Sequence, residues 1–412
     1  MVKLPAASAH HRLGFNLALS NVLSAGVTFA GTMVLAAIFG VAEMGALGVV
    51  VSATMILSPL VQFRLDLAFE RFGHHLHRGL VATVHCWAAL VAGVGALLGL
   101  LLVAFAQTPV SIVGFTALNL FLANCSNITW AEKVGRRDTR AVFTLQFVRA
   151  IVGVAAPITL HTFLEARLAL LLGLCLSNCI FLFFLPKISF YGLKRIRVVF
   201  RALSGRGRDL LWDNTFPVMV NMASVYIAPI VVSSVFGLKE AGVIYLIFRL
   251  VLTPAQLLAD PIRRSTYASI PTESNLTADK LRGLRRFSVG FLAAGLVGFV
   301  LAGLVRQRFL EFFPAYADTY FLLAGAAVWG GLVIGNAPLT GLVPVLRIAK
   351  MQSIVELAGL AWRLGSLSLG LLGASFQFCL AIFIAGTIVL NLGWGALIYR
   401  ICVRRANIPA SP

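Results

Sequence analysis

Long uninterrupted apolar segments restrict this 412-residue chain to one class of fold more strongly than any other feature. Hydrophobic residues make up 59% of the sequence and charged residues only 12%, whereas soluble domains carry about 25% charged residues. The apolar runs continue for about 20 residues, the length that an α-helix needs to cross the hydrocarbon layer. Strands of outer-membrane barrels alternate between apolar and polar residues, so a barrel is excluded. The chain is therefore predicted to be an all-α integral membrane protein.

Twelve apolar segments are predicted to cross the membrane, six in each half of the chain. They comprise residues 15–39, 45–66, 80–106, 109–130, 141–160, 167–186, 213–236, 242–262, 287–305, 319–345, 352–373 and 376–400. A basic linker at 191–212 separates an N-terminal six-helix lobe (1–190) from a C-terminal six-helix lobe (213–412). Because each half holds an even number of spans, both halves would have the same orientation, as a parallel internal repeat.

A short motif recurs at an interval of 197 residues and supports this repeat. The pattern Phe-Gly-x-x-Glu-x-Gly occurs at 39–45 and again at 236–242. Each copy is followed by an apolar segment with an internal proline, Pro59 in the first half and Pro254 in the second. Proline is a common cause of a helix bend, so both positions are predicted to bend their helices.

The chain is strongly basic, with 34 Lys and Arg against 15 Asp and Glu and a net charge of +19. Such a charge would suggest nucleic acid in a soluble protein. Here most basic residues fall in loops on one side of the predicted membrane, and the other side holds only Arg167, Lys239, Arg306 and Arg308. The positive-inside rule then predicts a multi-pass membrane protein with both termini cytoplasmic. The positive charge is therefore explained by the topology and by attraction to membrane lipids. No nucleic-acid partner is expected.

Polar side chains recur along one face of the first segment in each half. They are Asn16, Ser20, Ser24 and Thr28 in the first half, and Asp213, Pro217, Asn221 and Ser224 in the second. Residues spaced by three or four share one helix face. Two interpretations stay open for these stripes. They form hydrogen bonds between helices, or they face a hydrated central cleft, where Asn16, Ser24, Asp213, Asn221 and Ser224 would contact substrate.

Three arginines, Arg149, Arg249 and Arg363, lie deep in apolar segments. A charge at the bilayer centre costs about 2.5–3.5 kcal/mol even on insertion scales, so it normally faces a partner or a water-filled interior. Glu356 lies seven residues before Arg363 and is a candidate partner, whereas Arg249 has no acidic residue within a helical turn. A cleft lined by arginine favours an anion such as a pyrophosphate. All three arginines are predicted to bind substrate.

Two runs of residues resemble the Wzx-type polysaccharide flippases of the multidrug/oligosaccharidyl-lipid/polysaccharide exporter superfamily. Residues 39–68 end in Arg64-Leu65-Asp66-Leu67-Ala68 and are similar to the second-helix signature of that family, which typically ends in Arg-Tyr-Glu-Leu-Ala. Residues 236–254, with Tyr245, Arg249 and Pro254, are similar to its eighth helix. Arg64 and Asp66 are interpreted either as a gate or interface pair or as ligand contacts.

The resemblance implies two six-helix lobes that enclose a V-shaped cleft lined by helices 1, 2, 7 and 8. It also implies alternating access that moves undecaprenyl-pyrophosphate-linked oligosaccharide across the inner membrane, with Tyr245 among the substrate contacts. Other polysaccharide-assembly proteins would be partners. The alternative function is a small-molecule or drug antiporter of the same superfamily.

Sequence motifs of catalytic sites, such as HExxH, GxSxG, GxxxxGK[ST] and GxGxxG, are absent from the chain. The six cysteines show no spacing typical of metal ligands or disulfides. The protein is therefore not predicted to be an enzyme, and neither a cofactor nor a metal is expected. A membrane-embedded glycan polymerase or transferase is a third hypothesis, but it would need a sizeable loop outside the membrane. The longest predicted outer loop, about 306–318, is short.

Overall fold

The computed structural model describes residues 23–62 except 25, 110–135, 138–184, 207–270, 276–312, 317 and 320–406. Within these residues, nine helices are long and apolar enough to cross a membrane, and two shorter apolar helices occur at Gly26–Phe39 and Ala166–Cys179. Each of these eleven helices overlaps one predicted segment. The remaining predicted segment, 80–106, lies outside the described residues. The structure therefore confirms an all-α integral membrane protein.

The chain divides into two compact units, Met1–Ile230 and Val231–Pro412. The first unit contains α1 (Gly26–Phe39), α2 (Val41–Gln62), α3 (Val110–Gly135), α4 (Thr139–His161), α5 (Ala166–Cys179) and most of α6 (Gly207–Val235). The second contains α7 (Leu238–Ile247), a π-helical turn (Phe248–Leu252), α8 (Thr253–Ser269), α9 (Ala278–Phe312), α10 (Tyr320–Gly341), α11 (Ala349–Ser368) and α12 (Phe376–Ala406). Most of the predicted linker lies outside the described residues, so the predicted lobe boundary stays a prediction.

Both units use the same pattern of helix packing. In the first unit α2 packs on α3, α3 on α5 and α4 on α5. In the second unit α8 packs on α10, α10 on α12 and α11 on α12. These helices are the second, fourth, fifth and sixth predicted spans of their respective halves. The internal repeat predicted from the sequence is therefore confirmed by the structure.

The repeated motif places a glycine with positive φ directly before a helix in each unit. Gly40 has φ 79° and Gly237 has φ 104°, both in the left-handed region that glycine adopts without a steric penalty. Each glycine directly precedes a helix, α2 in the first unit and α7 in the second. This backbone requirement explains why glycine stands at the second position of both motif copies.

The phenylalanine of each motif copy packs against an aromatic ring near the turn between the fifth and sixth predicted spans of its half. Phe39 lies 4.8 Å from the ring of His161, and Phe236 lies 5.4 Å from the ring of Phe376, measured between centroids. The apolar first position of the motif thus anchors the turn to the rest of its unit.

The motif glutamate of the first unit forms an ion pair with the start of α5. Arg167 donates to Glu43 through both Nε (2.8 Å) and an Nη nitrogen (3.2 Å), and both side chains are only partly exposed. Two parallel bonds fix the geometry as well as the charge contact. The pair therefore ties the N-terminus of α2 to that of α5.

Glycines allow α9 and α10 to approach each other very closely. A Cβ atom at Gly331 would lie 2.6 Å from the carbonyl oxygen of Phe291 and 2.9 Å from the Cα of Gly295. A Cβ at Gly335 would lie 2.9 Å from the carbonyl oxygen of Ser288, whose hydroxyl donates to the Gly335 carbonyl at 2.6 Å. Small residues that bring backbones together are a main source of helix association in membranes.

The outer face of α9 is apolar and exposed along its length. Exposed residues on this face include Val289, Leu296, Val297, Val300, Leu301, Leu304 and Val305. A helix of this kind satisfies its own backbone hydrogen bonds and can therefore face lipid. This face is therefore suited to contact with lipid.

Candidate functional site in the second unit

The membrane span Leu238–Asp260 is interrupted near its midpoint by the π-helical turn Phe248–Leu252. In this turn the backbone N–H of Thr253 donates to the carbonyl of Phe248, five residues earlier. Pro254 follows at the start of α8 and has no N–H to donate, while its ring clashes with the carbonyl four residues before it in an α-helix. The π-helical turn accommodates this clash. Turns of this kind are frequent at functional sites.

Arg249 lies within the π-helical turn, at the centre of the 23-residue span. Its Nε donates to the hydroxyl of Tyr245 at 2.9 Å, and its Cζ lies 5.4 Å from the centre of the same ring. Tyr245 is buried, with 4% of its surface exposed, whereas Arg249 is partly exposed. The structure thus brings two of the predicted site residues into direct contact. The tyrosine holds the guanidinium in place.

Arg363 is buried inside the second unit, with 6% of its surface exposed. Its Nε donates to the Thr387 hydroxyl of α12 at 3.4 Å, and its Cζ lies 5.6 Å from the ring centre of Trp329 in α10. It also interacts electrostatically with Glu356, the candidate partner named from the sequence. These contacts stabilise a charge that would otherwise be expensive to bury.

Trp329 connects the π-helical turn to the buried arginine. Its ring makes an edge contact with Phe248 at 6.0 Å, and Phe248 is the residue directly before Arg249. Tyr245, Phe248, Arg249, Trp329 and Arg363 therefore form one connected group, the arginine–tryptophan cluster. Sequence reasoning missed Trp329. The signal that could have found it is a tryptophan in the middle of an apolar segment, where a nearby arginine gains a cation–π contact.

The other predicted site residues fall in or beyond the first unit, and their role in binding stays a prediction. Arg149 is half-buried on α4, and Asn221 is half-buried on α6. Ser224, one turn further along α6, is completely buried. Within the described residues, the buried hydroxyl oxygen of Ser24 has no hydrogen-bond partner.

The structure describes only some of the remaining predicted positions. Asn16, Arg64 and Asp66 lie outside the described residues, as does the side chain of Asp213 in α6. Pro59 lies buried near the end of α2, and the bend predicted there stays a prediction. Pro254 lies two residues after the end of the π-helical turn, so the irregular backbone begins six residues before the predicted bend.

A buried network of amide and hydroxyl groups joins three helices of the first unit, and sequence reasoning missed it. The Asn178 amide donates to the Asn119 side-chain oxygen at 2.7 Å, and the Asn119 amide donates to the Thr54 hydroxyl at 3.0 Å. Ser58 and Asn124 form a second link between α2 and α3 at 2.7 Å. The sequence signal is the presence of asparagines within apolar segments. Such groups form interhelical hydrogen bonds because lipid offers no alternative partner.

Comparison with known proteins identifies the fold. No protein-family model matches the sequence, and no curated protein matches it. Among solved structures, the chain is similar to a mutant of the Vibrio cholerae MATE transporter VcmN, with 15% identity over 97% of this chain and 99% of that chain and a TM-score of 0.56. It is also similar to VcmN in the bent form, with 15% identity, the same coverage and a TM-score of 0.53.

A further similar structure is the MATE multidrug transporter DinF-BH, solved as a complex, with 16% identity over 96% of this chain and 95% of that chain and a TM-score of 0.53. At these identities the similarity shows the fold. The match does not support the flippase subtype that the sequence motifs indicated. The chain therefore has the all-helical fold of the MATE transporters along nearly its whole length.

Proposed function

We propose that this protein is a membrane transporter that exports small organic molecules by alternating access. The observation that carries the proposal is the fold similarity to VcmN and to the multidrug transporter DinF-BH, which extends over 96–97% of this chain. The sequence motifs resemble those of flippases in the same superfamily, so they support transport by alternating access rather than the choice of substrate. Substrate would bind within the membrane-spanning helices, where polar and charged side chains are otherwise rare.

A second candidate function is favoured by the sign of the charges within the membrane. Arg249 lies at the centre of its span and Arg149 near the middle of α4, and both are partly exposed. A guanidinium recognises phosphate and carboxylate through charge-assisted hydrogen bonds. This arrangement favours an anionic substrate, such as an oligosaccharide linked to undecaprenyl pyrophosphate. In this proposal the protein is a lipid-linked oligosaccharide flippase.

The same part of the molecule would serve either function. The hydrogen bond from Arg249 to Tyr245 orients the planar guanidinium, and the π-helical turn interrupts the regular backbone beside it. Irregular backbone at membrane depth is tolerated where it is buried in protein or lines a water-filled cavity. We propose that the span bends at Phe248–Pro254 during transport and that Arg249 contacts the substrate there.

Two complementation assays distinguish the candidate functions. The full-length chain would be expressed in a strain that lacks its main drug exporters and in a strain that lacks its own oligosaccharide flippase. Increased drug resistance in the first strain supports the export of small molecules. Restored surface glycan in the second supports the flippase. If the protein is present at normal amounts in the membranes of both strains and changes neither phenotype, both proposals are wrong.

Topology provides a separate prediction. We propose that the protein lies in the bacterial inner membrane with both termini cytoplasmic, because most basic loop residues lie on that side. Alkaline phosphatase is active only in the periplasm, so a fusion after Pro412 is expected to be inactive. A fusion after residue 312, between α9 and α10, is expected to be active and serves as the matched control. Phosphatase activity at the C-terminus would contradict the proposed orientation.

A further inference from the structure

An open apolar cavity of about 490 Å³ lies between α8, α9 and α10. Its lining residues are Ile262, Ser265 and Thr266 of α8, Gly283, Leu284 and Phe287 of α9, and Pro338 of α10. The membrane span that includes α8 ends at Asp260, that of α9 begins at Asp279, and that of α10 ends at Gly341. All three helices therefore reach the same boundary of the bilayer near the cavity. The cavity therefore lies at the boundary between hydrocarbon and head groups, within the second unit.

Basic residues of α9 stand beside this cavity. Lys280 precedes Gly283 by three residues and Leu284 by four, so it shares the cavity face of α9 one turn nearer the helix end. Arg286 follows Gly283 by three residues and flanks the same face. Both side chains are exposed. Arg282, by contrast, forms an ion pair with Asp279 at 2.6 Å.

We propose that this cavity is a binding site for an anionic phospholipid. One acyl chain occupies the apolar cavity, and Lys280 and Arg286 bind the phosphate of the head group. Charge complementarity selects this occupant. A soluble anion gains nothing from the apolar lining, and a zwitterionic lipid is repelled in part by the same cations. Basic pockets between membrane helices at the cytoplasmic surface are known to suit anionic head groups.

The interior of the cavity also fits an acyl chain. The hydroxyl of Thr266 donates to the backbone carbonyl of Ile262 at 2.9 Å, which satisfies that polar group within its own helix. The rest of the lining from α9 and α10 is apolar or glycine. A Cβ atom at Gly283 would meet nothing within 4 Å, so this wall is open. This site does not depend on the substrate that the protein transports.

Native mass spectrometry of the full-length protein in detergent tests the proposal. The protein would be titrated with phosphatidylglycerol, with phosphatidylcholine, and with inorganic phosphate alone. Phosphatidylglycerol is expected to bind in preference to phosphatidylcholine. The double substitution Lys280→Ala and Arg286→Ala is expected to weaken phosphatidylglycerol binding roughly tenfold or more, because each surface Lys or Arg adds about fivefold. Arg282→Ala with Arg285→Ala removes two charges from other faces of the same turns and is expected to have a much smaller effect.

A substitution that fills the cavity distinguishes binding at this specific site from general attraction of lipid to surface charge. Gly283→Leu places a side chain in the open wall without changing any charge, and it is expected to reduce phosphatidylglycerol binding. Gly303→Leu is the matched control, because a Cβ there also meets nothing within 4 Å and the position lies toward the other end of α9. Any of three results overturns the proposal: equal binding of the two lipids, equal effects of the two arginine-containing double variants, or unchanged binding in Gly283→Leu. Saturable binding of phosphate alone, with no lipid bound, overturns it as well.

Discussion

Replacement of Arg249 by alanine is expected to reduce transport of an anionic substrate by about tenfold to a hundredfold, which corresponds to the loss of a hydrogen bond to a charged group. Arg249 lies at the centre of its span and is partly exposed within the π-helical turn. The substitution removes the guanidinium that would bind the anionic group of the substrate through charge-assisted hydrogen bonds. The measurement is substrate flux into or out of proteoliposomes that contain equal amounts of each protein.

Three controls make this result specific. Arg249→Lys retains the charge and is expected to retain part of the activity. Tyr245→Phe removes the hydroxyl that accepts from Arg249 and is expected to weaken transport less than the loss of the arginine. A cationic dye is the third control, because its transport should not fall when a positive charge is removed. Unchanged flux of every anionic substrate in Arg249→Ala, with normal folding, would remove Arg249 from the proposed site.

Replacement of Gly331 by leucine is expected to destabilise the second unit by about 1–3 kcal/mol or more, in the range seen when side chains are forced into well-packed interiors. Even the first added atom would lie 2.6 Å from the backbone oxygen of Phe291 and 2.9 Å from the backbone of Gly295. Backbone atoms cannot rotate out of the way as a flexible side chain can, so α9 and α10 would have to separate. The measurement is the melting temperature of the purified protein in detergent.

Gly290→Leu is the matched control for this change. It makes the same substitution on α9, where a Cβ meets nothing within 4 Å and the position is exposed. Its melting temperature is expected to stay close to that of the unchanged protein, whereas that of Gly331→Leu should fall clearly below. Equal melting temperatures for the two variants would mean that the α9–α10 contact contributes little to stability.

The fold was predictable because the features that determine it are local in the sequence. Apolar segments of membrane-spanning length predicted the helices, and each described span overlaps its predicted segment. The motif copies at 39–45 and 236–242 predicted the repeat, and in the structure both Gly40 and Gly237 have a positive φ. A backbone position that requires a positive φ favours glycine, so this requirement is visible in the sequence at that position.

The candidate site was only partly predictable, because its contacts join helices that are distant in the sequence. Tyr245 and Arg249 are four residues apart, so their contact follows from helical spacing alone. The contact between Arg363 and Trp329 joins α11 to α10, and no spacing rule predicts which helices pack together. The position of the π-helical turn was also missed. Pro254 indicated a bend, but the backbone adjusts in the turn before the proline, where the clash with its ring arises.

The length of the uncharged part of α9 indicates the thickness of the hydrocarbon layer that the second unit fits. Between Arg286 and Arg306 this helix has no charged residue, and the stretch 287–305 is about 27 Å long at 1.5 Å per residue. That length is close to the ~30 Å thickness of an ordinary hydrocarbon layer. The contact of Ser288 with Gly335 then marks one edge of the layer, and Gly295 lies about 12 Å from Phe287 along the helix, toward the midplane. A much thinner or thicker bilayer would force α9 to tilt or bring an arginine into hydrocarbon, and α10 would have to follow because the two backbones are in contact.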